Sequence, residues 1–489
     1  MAAERTKKKN TLWNFLDNLE GDKVVWMIVL LLMLISIVAI FSSTSQLALQ
    51  KGTTRMSILK GQMMTIVGGL AVILVCYSIK SLRFFRFFSQ FGYLVSILLL
   101  MALAVHKPIG FLHPVMLNSA WRVIEVFGFQ IHVFEVVKVA MVMYLAWAVN
   151  AFQTDSFAIA GRLSKAYPVF GKAWMKKLLY IYIPIFSVCI GIMMGSLSST
   201  LFIGGIMFVT ILIGGMSIKD LLLPGAVGVA LLLGCVGINA VAPEDHKPFP
   251  HLQSALNRLD SESDEKYMKD IANEPQNSKQ FQKALDKMKQ PVSAKIAIHE
   301  GGLFGKGPGR STQRYVVPIM FEDYMFSFIV EEYGLMGGIL VIILYISLLA
   351  RGSIIVRNCD NHFAKTAIAG LVVLITGQAM MHIMINCDLG PLTGQTLPMV
   401  SLGKSSFLMF SLAFGIILSI SRIAKRKIAR EAESMGSIMG DGERSGARNE
   451  MESTLEDLDE MESSGFEGTG VPVHENDIPD YGIDDHNNE

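Results

Sequence analysis

Apolar stretches of about twenty residues recur along the chain, joined by short polar connections, and a helix of that length crosses a hydrocarbon core of about 30 Å. Ten are found, at 24–43, 59–79, 87–105, 132–151, 178–195, 200–216, 219–241, 325–350, 366–385 and 404–421. The pattern predicts an all-α polytopic membrane protein of about ten transmembrane helices, with a long extracytoplasmic loop before the eighth. The connections Ser196–Thr200 and Met216–Lys219 are so short that the fifth to seventh stretches either form true hairpins or include a re-entrant segment.

Composition fits that class: 51% of the 489 residues are hydrophobic and the net charge is +1, with mean hydropathy +0.43. An ordinary soluble enzyme is excluded, and no nucleic-acid partner is expected. Lys and Arg fix the orientation. Arg5 and Lys7–Lys9, the group Lys80, Arg83 and Arg86, the run from Arg162 to Lys177, the group Arg351, Arg357 and Lys365, and the cluster Arg422–Arg430 fall on one side when ten spans are threaded. Both termini are therefore expected in the cytoplasm of a plasma (inner) membrane protein. Residues 106–131, 242–324 and 386–403 are expected outside.

The chain divides into a cytoplasmic arm (1–23), helices one to seven (24–241), a large outer loop (242–324), helices eight to ten (325–421) and a cytoplasmic tail (422–489). Within the outer loop, 242–298 is polar and helix-prone. From Glu431 on, 18 Asp and Glu face two Arg, a composition that cannot bury enough apolar surface to fold and predicts disorder. The five cysteines do not make a disulfide framework, since Cys76, Cys189 and Cys235 fall in apolar stretches. The first apolar run is full length and lacks a small-residue cleavage site, so no cleaved signal peptide is expected.

Candidate chemistry concentrates in 299–338, where Gly-rich turns, Lys306, Arg310, Arg314, Asp323, Glu331 and Glu332 stand between two apolar spans. Ionisable groups at a membrane are costly. Either they build a site, or the loop is solvated and Glu331–Glu332 pair with cations on other helices. Two further outward stretches converge with it under this threading: Ala120–Ile124, with Arg122, and the Gly/Pro/Ser-rich 386–406, with Ser405. Irregular backbone of that kind lines a cavity or forms a tight outer loop. Glu135 and Lys138, at i, i+3 in the fourth stretch, share a helix face and can pair, either to hold helices together or to mark a polar cavity.

No His/Cys/Asp spacing suggests zinc or iron, and GxSxG, P-loop and dinucleotide motifs are absent. The glycine-rich 302–309 lacks the strand-to-helix context of an NTP loop. Its backbone N–H groups with Lys306, Arg310 and Arg314 suit an outward anion site of diphosphate size.

At these motifs the chain resembles the SEDS family of polytopic peptidoglycan glycosyltransferases. The resemblance is carried by Gly301-Gly302-Leu303-Phe304-Gly305-Lys306-Gly307-Pro308-Gly309-Arg310-Ser311-Thr312-Gln313-Arg314, then Pro318, Asp323-Tyr324-Met325-Phe326 and Glu331-Glu332-Tyr333-Gly334-Leu335. Leu389–Gly394, Leu397-Pro398, Ser401 and Gly403–Ser406 carry it before the last span, and Glu135 with Lys138 in the fourth. It covers roughly 20–425. The chain departs where Phe321-Glu322 replaces the family's His-Thr, Ile319 its Glu, Ser196–Thr200 its Pro-Asp motif, Trp121-Arg122 its Arg-Trp and Lys404 a glycine.

The resemblance implies polymerisation of lipid II, an undecaprenyl-diphosphate-linked disaccharide peptide, into β-1,4 glycan strands. It implies Asp323 as general base for the attacking hydroxyl, and Lys306, Arg310, Arg314 or Arg122 as partners of the leaving diphosphate. Glu135, Lys138 and Ser405 would lie at the same substrate cavity. No resident cofactor is implied, although a divalent cation (Mg or Mn) could share the charge neutralisation. Implied partners are membrane lipids, a class B penicillin-binding protein and other division proteins. The basic arm and acidic tail resemble the division branch more than the compact elongation branch. An elongation polymerase, a lipid II flippase and an idle scaffold remain as alternatives.

Overall fold

The computed structural model describes residues 20–241, 269, 271–273, 275 and 278–438, apart from 109, 118–119, 158–160, 163, 166, 318–319 and 391–393. The arm before Glu20, most of the outer-loop segment 242–278, and the acidic tail beyond 438 lie outside the described residues.

A helix stands at each of the ten apolar stretches. They are α1 (Lys23–Ser43), α3 (Arg55–Ser78), α4 (Leu82–Val105), α5 (Val133–Gln153), α6 (Ala173–Met193, with a π-helical turn at Leu178–Tyr182), α7 (Leu197–Ile213), α8 (Ile218–Val241), α11 (Met325–Arg357), α12 (His362–Asn386) and α13 (Lys404–Ile438). Among the described residues, eight are long and apolar enough to cross a membrane; α7, at 17 residues, is shorter. Between them lie the short α2 (Ser45–Gln50), the polar α9 (Lys279–Gly301) and the single turn α10 (Met320–Asp323). The 279–301 part of the expected outer loop is thus a regular helix, packed on α11.

The starts of the helices are written locally. Asp22 caps α1 by accepting from Val25 N (3.0 Å), Asn361 caps α12 through Phe363 N (3.0 Å), and Ser196 caps α7. α5 and α12 run through the interior and pack on each other, α5 also against α4 and α7, and α12 against α11. α1 lies along α11 and is tied to it near both ends: Asp22 pairs with Arg351 (2.7 Å), and Ser42 Oγ donates to Glu332 Oε1 (2.6 Å).

The stretch before α5 is a small antiparallel sheet, which the helical pattern did not foresee. β1 (Leu112–Leu117), β2 (Ala120–Val126) and β3 (Phe129–His132) pair in the order β1-β2-β3, and β3 runs directly into α5. From Ile428 the chain forms a second unit, of which the helical residues to Ile438 are described.

Candidate active site

α10 is too short to hold itself. Its three last carbonyls, which no longer helix satisfies, are taken by the end of α12 and the segment that follows it. Leu402 N donates to Phe321 O (2.9 Å), Ser401 Oγ to Glu322 O (2.7 Å) and Asn386 Nδ2 to Asp323 O (3.1 Å). The two loops singled out in the sequence, around 323 and 386–406, are therefore one surface.

Asp323 projects toward Gly394, where a Cβ would stand 3.7 Å from Asp323 Oδ2. The side chain is half-buried. Burial lifts its carboxyl from an ordinary 3.8 to about 6, against the pull of the Arg122 guanidinium on β2. Glu322 beside it is raised to about 7, first by burial and then by the Asp323 charge, with Lys51 opposing. Two neighbouring carboxyls displaced toward neutrality, with cations on two sides, form the kind of cluster that marks a site.

Behind this surface, Lys138 is 2% exposed. Its ammonium donates to Glu135 Oε1 (2.7 Å), Gln378 Oε1 (2.7 Å) and Gln395 Oε1 (3.0 Å). Glu135 and Lys138 pair as their spacing suggests, and the pair braces α5 against α12 and the 394–396 segment. Ser405 accepts from His132 N (3.2 Å) and donates to Gln130 O (2.8 Å), clasping the start of α13 to β3. Its hydroxyl is used in holding the fold.

The glycine-rich loop resolves differently from the diphosphate cradle that its composition suggests. Glu331 and Glu332, both fully buried, draw the loop in around themselves. Glu331 accepts from Lys306 Nζ (2.9 Å), Ser311 Oγ (2.5 Å) and Thr312 N (2.8 Å). Glu332 accepts from Gly309 N (3.0 Å) and lies 3.5 Å from Arg314. Lys306 also bridges to Glu300. Lys306 and Arg314, expected at a substrate diphosphate, are engaged here by the buried carboxylates, which also take the loop amides. Glu331 and Glu332 do meet cations, but on the adjoining loop and not on other helices. Arg310 remains exposed, and Arg122 is the cation at Asp323.

Sequence reasoning assigned no role to Lys51, Gln378, His382, Asn386 or Gln395, although the last two lie in the 386–406 stretch that it singled out. The signal for three of them was present: Gln378, His382 and Asn386 are polar residues at i, i+4 and i+8 in an apolar span, hence on one helix face. As for a metal, no group of three His, Cys, Asp or Glu side chains among the described residues could hold one.

The FtsW/RodA/SpoVE family model, described as a cell cycle protein, matches residues 22–426. The chain is 38% identical over 133 residues to the probable peptidoglycan glycosyltransferase FtsW of Caulobacter vibrioides, covering 27% of this chain and 34% of the relative. It is 34% identical over 131 residues to the peptidoglycan glycosyltransferase MrdB of Escherichia coli, covering 26% and 35%. These alignments thus span about a third of either relative. A chain from the solved structure of a peptidoglycan synthase complex that coordinates polymerization and crosslinking superposes with a TM-score of 0.56 at 18% identity, covering 83% of this chain and 98% of that one, so the fold is shared. With a family model spanning most of its length, the chain belongs to the FtsW/RodA/SpoVE family of cell cycle proteins.

Proposed function

We propose that the protein is a peptidoglycan glycosyltransferase that joins the sugars of lipid II into β-1,4 glycan strands on the outer face of the membrane. The observation that carries this reading is Asp323, a half-buried carboxyl at about 6 beside Arg122. At neutral pH it is ionised and still basic enough to take a proton from a sugar hydroxyl. In this reading the acceptor's GlcNAc 4-hydroxyl attacks the anomeric carbon of a MurNAc held on undecaprenyl diphosphate. One in-line displacement inverts that carbon, and Asp323 removes the hydroxyl proton as the bond forms. In this reading Arg122, with exposed Lys51 beyond Glu322, faces the departing diphosphate, and exposed Arg310 is left free to meet it. A divalent cation, if recruited with the substrate diphosphate, would add charge neutralisation there.

The finer reading is a division enzyme working with a class B penicillin-binding protein and other division proteins. It rests on the basic arm and the acidic tail, with both termini cytoplasmic. Similarity to the FtsW and MrdB relatives is of the same order, so neither branch is favoured by it.

The test is glycan chain formation from purified lipid II, with and without the transpeptidase partner, by wild type and Asp323→Asn. Loss of a general base costs about 10²–10⁴ in rate, and lipid II binding should survive. Near-normal polymerisation by Asp323→Asn would overturn the mechanism. If Glu322→Gln alone is dead, the base sits one residue earlier. Transbilayer movement of labelled lipid II without polymerisation would favour a flippase.

A further inference from the structure

Gln378, His382 and Asn386 form a buried polar stripe along one face of α12, and each rung bonds to the walls of the Asp323 site. At the lowest rung, Gln378 accepts from Lys138 and donates through Nε2 to Thr396 O (3.0 Å). His382 is pinned from both sides: Phe326 N–H donates to Nε2 (3.3 Å), and Nδ1 contacts Gln395 O (2.7 Å). Because a carbonyl only accepts, these partners assign the neutral Nδ1–H tautomer. At the top, Asn386 Oδ1 accepts from Ser327 N and Ser327 Oγ (both 2.9 Å), while Nδ2 donates to Asp323 O (3.1 Å).

The stripe therefore grips 323–327, which carries Asp323, with one hand, and 395–396, which follows Gly394, with the other. Those two segments face each other across the Asp323 carboxylate. Three uncharged polar residues buried on one face of a spanning helix are expensive unless they serve a purpose there.

We infer that His382 and Asn386 are positioning residues for Asp323: from α12 they set the separation between its carboxylate and the Gly394 backbone, and so the place where the attacking hydroxyl sits. The inference rests on the reading of Asp323 as the base. Neither residue touches the reacting atoms.

The experiment compares wild type, His382→Phe, His382→Gln, Asn386→Ser and Asp323→Asn in lipid II polymerisation, with rates expressed per folded molecule from thermal-shift and size-exclusion profiles. Misplacement by about 1 Å can cost about a hundredfold. His382→Phe, which removes both bonds, should lower kcat on that order with KM for lipid II little changed. His382→Gln, which can still donate and accept, should restore most of it.

The acid limb of the pH–rate profile is a second readout that mere support of the fold would not move. The charged groups facing Asp323 are Glu322 on its own turn and Arg122 on β2, with Lys51 beyond Glu322. None is altered by these variants. Loosening the clasp admits water, so the limb should move from about 6 toward the ordinary carboxylate value of about 4.

Asn386→Ser shortens the upper rung without filling it, carries the same two expectations at about tenfold, and decides the matter should His382→Phe fail to fold. Unchanged kcat and an unmoved limb in the folded variants would overturn the inference while Asp323→Asn remains inactive. An active Asp323→Asn would instead overturn the assignment of the base.

Discussion

Asp323 holds its proton more tightly in the folded protein than a free carboxyl does, and that has a sign. Its folded value, about 6, lies above the ordinary 3.8, so the ionised base predominates only above about 6. Polymerisation should fall as pH is lowered through about 6, two units above where an exposed aspartate would lose its charge. A kcat/KM profile against pH checks this, and an acid limb near 4 would contradict it. The same shift means that ionised Asp323 opposes folding at neutral pH. Asp323→Asn should therefore melt no lower than wild type at pH 7.5, which separates loss of base from loss of fold. At this scale the sequence pointed to Asp323 through a local motif, and it did not show where the loop cations pair. Asp323 sits in a motif whose spacing is local. Lys306 and Arg314 find their partners at Glu331 and Glu332, some twenty residues on, through a loop geometry that composition does not encode.

At the scale of elements, α11 contains a break that its sequence conceals. Gly334 has φ 70° and ψ −174° inside the helix. There the glycine-rich loop stitches in: Lys306 N donates to Glu331 O (2.9 Å), Gly307 N to Glu332 O (2.9 Å) and Leu335 N to Gly302 O (2.9 Å). A Cβ at Gly334 would stand 2.2 Å from Leu303 O. Gly334→Ala should therefore cost both a left-handed backbone and a backbone clash, on the order of 1–3 kcal/mol or more. The yield of folded protein should drop and its melting temperature fall, whereas an Ala at half-buried Gly61, in α3, where a Cβ would meet nothing within 4 Å, should be tolerated. Equal stability of the two variants would contradict the stitched loop. The long helices were legible because twenty apolar residues leave few alternatives. The sheet was not, because strands of four to seven residues carry too short a period to stand out between spans. The Gly334 break was hidden by an apolar run that continues on its far side.

For the whole molecule, the sheet and the 154–172 connection stand at opposite ends of α5, whose 21 residues extend about 31 Å. If the Lys/Arg asymmetry sets orientation, the sheet faces outward and that connection faces the cytoplasm. In a cysteine-free background, Gln130→Cys should react with a membrane-impermeant reagent in intact cells, and Ser156→Cys should react only after permeabilisation. Both native residues are exposed. The reverse pattern would invert the protein in the membrane. The positions of the long apolar helices could be read from the chain. What brings Asp323, Gly394 and Arg122 together could not, because it depends on three separate connections meeting at one end of the bundle.

The two ties between α1 and α11 make a ruler. Asp22 meets Arg351 and Ser42 meets Glu332, so twenty residues counted forward on one helix are matched by nineteen counted backward on its antiparallel neighbour. Each tie measures the same alignment independently, about 30 Å apart. A single residue inserted midway along α1 would turn one end by about 100° relative to the other, and no sliding could then satisfy both marks. The length of α1 between its ties is thus as much a specified quantity as any side chain in it. Its apolar face can exchange one aliphatic residue for another, but the number of residues cannot change.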